Sequence, residues 1–100
     1  MSALIVNESS TVRAASRLAS ATAPDGRETV IVDPTSGRYF GLDAHAVVVW
    51  SLIQRPRRVS DLLDAVMAEY DVEREVLWED VRALLRELAD AGLVEVDDRA

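Results

Sequence analysis

The chain has 100 residues but no cysteine and only one histidine, His45. The absence of cysteine excludes disulfides, thiolate nucleophiles and zinc–thiolate sites. A lone histidine lacks the partner that a metal site or a nucleophile–base pair needs, so we interpret His45 as an ordinary surface side chain. The glycines are too scattered for a phosphate-binding loop, and no carboxylate pair lies in the apolar context that acid–base catalysis requires. We therefore expect no catalytic residues, no metal site and no cofactor.

Long apolar runs and an excess of positive charge are also lacking. No apolar run approaches the roughly 18 residues that a membrane span needs. The N-terminus has no basic patch followed by an apolar stretch, which a secretory signal would show. Acidic residues number 18 and basic residues 11, so the net charge is −7. Because that sign disfavours contact with nucleic acid and anionic lipid, we expect a cytoplasmic protein that binds neither.

The composition that is present, 49% hydrophobic and 29% charged residues, is typical of one small globular domain. We expect a loose N-terminus over residues 1–10, a folded domain over 11–96 and a short tail over 97–100. Residues 11–19 alternate imperfectly between apolar and polar side chains and form a weak candidate strand. The run Pro24-Asp25-Gly26 then predicts a turn.

A β-hairpin is predicted over residues 28–42. The β-branched residues of 28–33 favour a strand, and residues 38–42 favour a returning strand. Between them, Pro34-Thr35-Ser36-Gly37 has the composition of a hairpin loop. Gly41 inside the second strand indicates either a bulge or the close approach of another group.

Three helices are predicted after the hairpin, where the apolar spacing changes from two to 3.6 residues. They cover residues 44–54, 61–70 and about 72–91, and their expected N-caps are Asp43, Ser60 and Asp71. The core stripe of the third helix is expected to be Leu77, Val81, Leu84 and Leu88. The order of elements predicts an α+β fold that is winged helix-turn-helix-like, with a small antiparallel three-stranded sheet followed by three helices.

The end of the third helix carries the clearest termination signal. Gly92 stands where a left-handed C′ residue is expected, since glycine adopts positive φ without steric cost. Leu93 can then pack back on Leu88, as in a Schellman motif.

An ordered series of short motifs resembles the PqqD-like family over about residues 28–96. The series is Ser36-Gly37-Arg38-Tyr39-Phe40-Gly41-Leu42-Asp43, a helix bearing Trp50, Val59-Ser60-Asp61-Leu62, Tyr70-Asp71-Val72 and Leu88-Ala89-Asp90-Ala91-Gly92-Leu93-Val94. Members of that family are recognition elements that bind the leader of ribosomally made, post-translationally modified peptides. The chain looks most like the discrete recognition protein of lasso-peptide pathways. The resemblance implies a precursor leader peptide, a separate leader peptidase and a macrolactam-forming cyclase as partners.

The resemblance also implies that the leader binds as an extra antiparallel strand beside the returning hairpin strand and lies against the third helix. An edge strand offers unpaired N–H and C=O groups to a partner backbone, and nearby side chains supply the selection. Because strand side chains alternate, one of Tyr39 and Phe40 faces inward.

On the third helix, Trp78 begins an apolar strip beside one cation, and Trp is a favoured anchor in binding grooves. The alternative is that Trp78 simply covers the domain core. The predicted peptide-binding residues are Val30, Arg38, Tyr39, Phe40, Gly41, Leu42, Trp78, Val81, Arg82 and Leu85.

Two other functions fit parts of the pattern. Three helices beside a hairpin also describe an acidic winged-helix DNA-binding regulator, although the third helix carries six acidic residues against three basic ones. The chain could instead be a docking subunit of a larger enzyme, such as a radical-type peptide-modifying enzyme, that uses the same groove for a strand of its partner.

Overall fold

The computed structural model describes residues 6–97 and contains two three-stranded antiparallel sheets and three helices. The strands are β1 (Thr11–Ala14), β2 (Ala19–Thr22), β3 (Glu28–Asp33), β4 (Arg38–Asp43), β5 (Arg57–Arg58) and β6 (Val94–Asp97). The helices are α1 (His45–Leu52), α2 (Val59–Glu69) and α3 (Arg74–Asp90). The predicted α+β class, with antiparallel strands and three helices, is confirmed.

The first sheet has the order β5-β1-β6 and joins the beginning of the described chain to its end. The sequence predicted neither β5 nor β6, and it extended the first strand to residue 19. In the structure that strand spans Thr11–Ala14, and the N–H of Ala15 continues the register with β6 by one more bond, to the carbonyl of Leu93 at 2.9 Å. The N–H of Leu18 then bonds the carbonyl of Ala15, and the chain turns towards the second sheet.

The second sheet has the order β2-β3-β4, and its β3–β4 hairpin is confirmed. The loop closes where Gly37 adopts φ 74°, a conformation that glycine accepts readily. β2 was not predicted as a separate strand, and the predicted turn at Pro24-Asp25-Gly26 joins it to β3. Gly41 pairs with Val30 in an unbroken register, and no described heavy atom lies within 4 Å of a Cβ added to it. Neither a bulge nor a close neighbour therefore explains Gly41.

The three predicted N-caps are wrong, since no helix has a side-chain cap hydrogen bond. Asp43 is the last residue of β4, and α1 begins only after Ala44, which turns the chain with φ 51°. Ser60 lies inside the first turn of α2. Asp71 lies in the connection before α3, whose N-cap is Glu73.

The backbone of the segment before β1 caps α2 in place of a side chain. The N–H groups of Val59 and Ser60 donate to the carbonyls of Ser10 and Glu8 at 2.8 and 2.9 Å. These bonds satisfy donors that a helix leaves without internal partners. The chain is thus attached to the domain from residue 6 onward, unlike the loose terminus expected there, and the first five residues lie outside the described part.

The end of α3 forms the predicted Schellman motif. Gly92 has φ 78°, and its N–H donates to the carbonyl of Ala89 at 3.0 Å. The N–H of Leu93 donates to the carbonyl of Leu88 at 2.9 Å, and both leucines are buried. The motif fixes the direction in which the chain leaves α3 and enters β6.

Side chains from both sheets and all three helices form one core. Fully buried members include Val12 of β1, Ile31 of β3, Val49 of α1, Leu63 of α2 and Leu85 of α3. Within residues 6–97, no helix is long and apolar enough to cross a membrane.

Candidate peptide-binding site

β4 is an edge strand with one unoccupied side. β3 pairs with one side of it along all six residues, and no other strand of the described chain pairs with the other side. Every second residue of an antiparallel edge strand directs its N–H and C=O away from its partner. The structure therefore presents a row of backbone donors and acceptors that can take one more strand.

An open groove of about 590 Å³ runs between β4 and α3. We call it the β4–α3 groove, and its lining residues are Tyr39, Phe40, Gly41, Leu42, Asp43, Ala46, Leu84, Glu87, Leu88, Ala91 and Leu93. Leu84, Glu87 and Ala91 recur at spacings of three and four, so they share one face of α3. A volume of this size holds a few side chains of an extended peptide.

The alternation of β4 decides which of its side chains face the groove. Phe40 pairs with the buried Ile31, is half-buried and packs against the core. Tyr39 is 72% exposed and lies on the opposite face of the sheet. Val30, 44% exposed, lies on the same outer face because it pairs with Gly41. Val30, predicted as a peptide contact, thus lies on the face opposite Phe40.

The α3 residues predicted to bind the peptide occupy different places in the structure. Leu85 is fully buried and belongs to the core, whereas Val81 is 2% exposed and lines a smaller cavity beside α1. Trp78 is half-buried and packs against that core. Neither Trp78 nor Arg82 lines the β4–α3 groove. The groove instead uses Leu84, which precedes Leu85 and lies about 100° away around the helix.

Sequence reasoning missed the α3 residues that line the groove, because it assigned Leu84 to the core stripe. In the structure the buried stripe of α3 is Leu77, Val81, Leu85 and Leu88. It has an apolar residue on each flank, Trp78 on one side and Leu84 on the other. The position of α1 decides between them, since α1 packs on both β4 and α3 and places Ala46 in the groove. The one local signal was the repeat of Leu84, Glu87 and Ala91 at helical spacing.

The groove continues towards the start of α1 as a smaller cavity of about 230 Å³. The two cavities share Asp43, Ala46 and Leu84. The smaller one lies beside the N-terminal half of α3, where Leu77 and Asp80 line it. β4 and α3 therefore run alongside each other, with the hairpin end of β4 next to the C-terminal half of α3.

Acidic side chains dominate the charge around the groove. Asp43 and Glu87 line it, and Asp80 lines its continuation. The cation of β4, Arg38, lies at the hairpin end, where its guanidinium carbon is 5.2 Å from the centre of the Phe40 ring. A guest with basic side chains facing this rim would be matched in charge.

Asp33, at the hairpin end of β3, is the acidic group whose pKa the fold lowers. Burial raises its pKa, but the N–H of Thr35, the guanidinium of Arg17 and the backbone at Ser36 outweigh burial and bring the pKa below its ordinary value of 3.8. His45 is exposed, and the centre of its ring lies 5.0 Å from the centre of the Tyr70 ring in an edge-to-face arrangement. No group of three or more His, Cys, Asp or Glu residues in the described chain is arranged to hold a metal ion.

Comparison with known proteins identifies the family. Residues 28–94 match the family described as Coenzyme PQQ synthesis protein D (PqqD). The chain belongs to the PqqD family. That match confirms the resemblance seen in the sequence motifs, and it spans both β4 and α3, the two walls of the groove. β1 and β2 precede the part that matches the PqqD family.

A solved structure described as TbiB1 in complex with the TbiA(beta) leader peptide has a similar fold. It superposes on this chain with a TM-score of 0.75 at 37% sequence identity. The similarity covers 83% of this chain and 94% of that chain. Among curated proteins, no match is found.

Proposed function

We propose that this PqqD-family protein is a non-catalytic adaptor that binds the leader of a ribosomally made precursor peptide as an added antiparallel strand on β4. The observation that carries the proposal is the unpaired edge of β4 beside an apolar groove. The similar TbiB1 structure, at 37% identity, contains a leader peptide and supports the same kind of ligand here.

Main-chain pairing and side-chain pockets have separate roles in this binding mode. The backbone of β4 gives affinity for any extended peptide, because every peptide has the same donors and acceptors. Selection comes from the side chains of the guest that point into the groove towards Phe40, Leu42 and Leu84. We expect micromolar or tighter binding, roughly −8 kcal/mol or beyond.

The proposed partners are a leader peptidase and a macrolactam-forming cyclase of lasso-peptide maturation. The adaptor would act by raising the effective concentration of the precursor at those enzymes, a role that needs no catalytic residue of its own. The outer face of the β2–β3–β4 sheet, exposed at Val30, stays open while the groove holds the peptide. A separate enzyme can therefore approach the loaded adaptor.

The test is calorimetric titration of candidate leader peptides into the protein and into two α3 variants. Leu84→Ala removes an apolar contact from the groove and should weaken binding about tenfold. Trp78→Ala changes the same helix on its other flank, so it should lower the stability of the fold and leave affinity unchanged. Circular dichroism checks that both variants are folded.

Two results would contradict the proposal. If no leader of a lasso-type precursor binds the wild-type protein, the adaptor function fails. If Trp78→Ala weakens binding while Leu84→Ala does not, the peptide lies on the other flank of α3 and the β4–α3 groove is not its site.

A further inference from the structure

Arg17 joins three parts of the chain that are distant in sequence. It lies in the loop between β1 and β2, where the chain passes from the first sheet to the second. Its Nη2 donates to Oδ2 of Asp33 at 3.3 Å and to the carbonyl oxygen of Gly92 at 3.0 Å. One guanidinium nitrogen therefore holds the hairpin and the end of α3 at a fixed separation.

The two acceptors of Arg17 terminate the elements that carry the walls of the β4–α3 groove. Asp33 ends β3 and opens the loop into β4, and Gly92 is the C′ residue of α3. Asp33 pairs with Arg38, the first residue of β4. The Arg17 contacts thus lie at the end of the groove that Tyr39 and Ala91 line.

At the other end of the groove, a helix and not a polar side chain separates β4 from α3. There α1 packs on both β4 and α3, and its Ala46 lies between them in the groove lining. At the hairpin end, Arg17 from a third segment bonds Asp33, which precedes β4 in the hairpin, and Gly92, which follows α3. A positive charge suits this place, since it faces both a carboxylate and the negative end of the α3 dipole.

We propose that Arg17 is a positioning residue that sets the distance between β4 and α3 at the hairpin end of the groove, and thereby the affinity for the C-terminal half of the bound leader segment. This inference rests on the proposed function. It assigns a role in peptide binding to a residue that precedes the part matching the PqqD family and does not line the groove.

Because the Arg17 side chain is partly exposed, its effect on peptide binding can be tested separately from its effect on folding. The Arg17 side chain is 46% exposed, and ion pairs of that exposure contribute little to the stability of a fold. Arg13 offers a matched control, because its side chain is 49% exposed and pairs with Glu95 at 2.6 Å in the other sheet. Arg17→Ala and Arg13→Ala should therefore have similar thermal unfolding midpoints.

The experiment titrates each variant of the full chain with a synthetic leader peptide that binds the wild type. We expect Arg17→Ala to bind about tenfold more weakly, the size of effect that a residue remote from the ligand can have. Arg13→Ala should bind like the wild type. Arg17→Lys, which keeps a cationic donor, should recover most of the affinity, and Arg17→Met serves if the alanine variant fails to fold.

A shortened peptide separates positioning from a general structural effect. A guest antiparallel to β4 places its C-terminal end beside Arg38, so a peptide lacking the last three residues of the bound segment does not reach the Arg17 end. Arg17→Ala and the wild type should bind this peptide equally.

If Arg17→Ala and the wild type bind the full segment with equal affinity, the inference is overturned. It is also overturned if Arg17→Ala loses as much affinity for the shortened peptide as for the full one, or if Arg13→Ala loses as much affinity as Arg17→Ala. If the wild type binds no leader at all, the proposed function fails first and the role of Arg17 falls with it.

Discussion

The guanidinium carbon of Arg38 lies 5.2 Å from the centre of the Phe40 ring, so a cation covers the aromatic side chain at the hairpin end of the groove. A contact of this kind is worth about 0.5–1 kcal/mol at an exposed site. We therefore expect Arg38→Ala to weaken leader binding about two- to fivefold, because Phe40 loses the group that orients its ring. Calorimetry measures the change. Arg82→Ala is the control, since Arg82 makes no cation–π contact within the described residues, and an equal loss in both variants would argue against the contact.

The acidic rim of the groove predicts a charge preference in the leader. Glu87→Lys reverses one charge of the groove lining, whereas Glu79→Lys makes the same reversal at an exposed position of α3 outside it. A leader with Lys or Arg facing the rim should bind Glu87→Lys about three- to tenfold more weakly at low salt, and the loss should shrink as salt screens it. Titrations at two salt concentrations test this. A loss of the same size in Glu79→Lys would mean that net charge alone is responsible.

Two glycines of the site region should respond differently to a methyl group. Gly92 has φ 78°, so Gly92→Ala forces an L-residue into the left-handed region and should cost about 1–2 kcal/mol of unfolding free energy. At Gly41 the added Cβ meets nothing within 4 Å in the described chain, and Gly41→Ala should be neutral or stabilise by up to about 1 kcal/mol. Denaturant unfolding of both variants measures the difference. A destabilised Gly41→Ala would show that this position is strained.

Because the pKa of Asp33 is lowered in the folded state, the free energy of unfolding depends on pH. A carboxyl group whose pKa lies below 3.8 in the folded state stabilises the protein above that pH, and the contribution is lost as the pH falls through the folded pKa. Asp33→Asn keeps an acceptor for the N–H of Thr35 but loses the ion pair with Arg17. It should be slightly less stable than the wild type at pH 7, since the Arg17 side chain of the lost ion pair is half-exposed, and the difference should narrow on acidification.

Denaturant unfolding at neutral and acidic pH measures that difference. Asp25→Asn is the matched control, since Asp25 accepts the N–H of Arg27 as Asp33 accepts that of Thr35. If the difference in free energy of unfolding between Asp33→Asn and the wild type is the same at every pH at which both fold, the ionisation of Asp33 is not its cause.

The hairpin and the end of α3 could be predicted from the sequence because their causes are local. β-branched residues of 28–33 and a glycine at position 37 suffice for the hairpin, and Gly92 followed by Leu93 suffices for the Schellman motif. The first sheet could not be predicted in this way. Its short strands β1, β5 and β6 pair across most of the chain, and β5 has only two residues.

The starts of the helices and the α3 residues that line the β4–α3 groove could not be predicted from the sequence, because tertiary contacts determine both. Ser60 is a good capping residue, but the carbonyl of Glu8 supplies the acceptor from a distant segment. Trp78 and Leu84 are both apolar flanks of α3, and only the packing of α1 determines which flank meets β4.

The six-residue length of β4 limits how much of a guest the protein can order, roughly 20 Å of extended chain. On the proposed function, whatever follows that stretch in the precursor makes no contact with β4 and is free to vary. Grafting the bound stretch onto an unrelated peptide should then bring that peptide to the same enzymes. The segment of the precursor that is recognised would thus be separate from the segment that is modified.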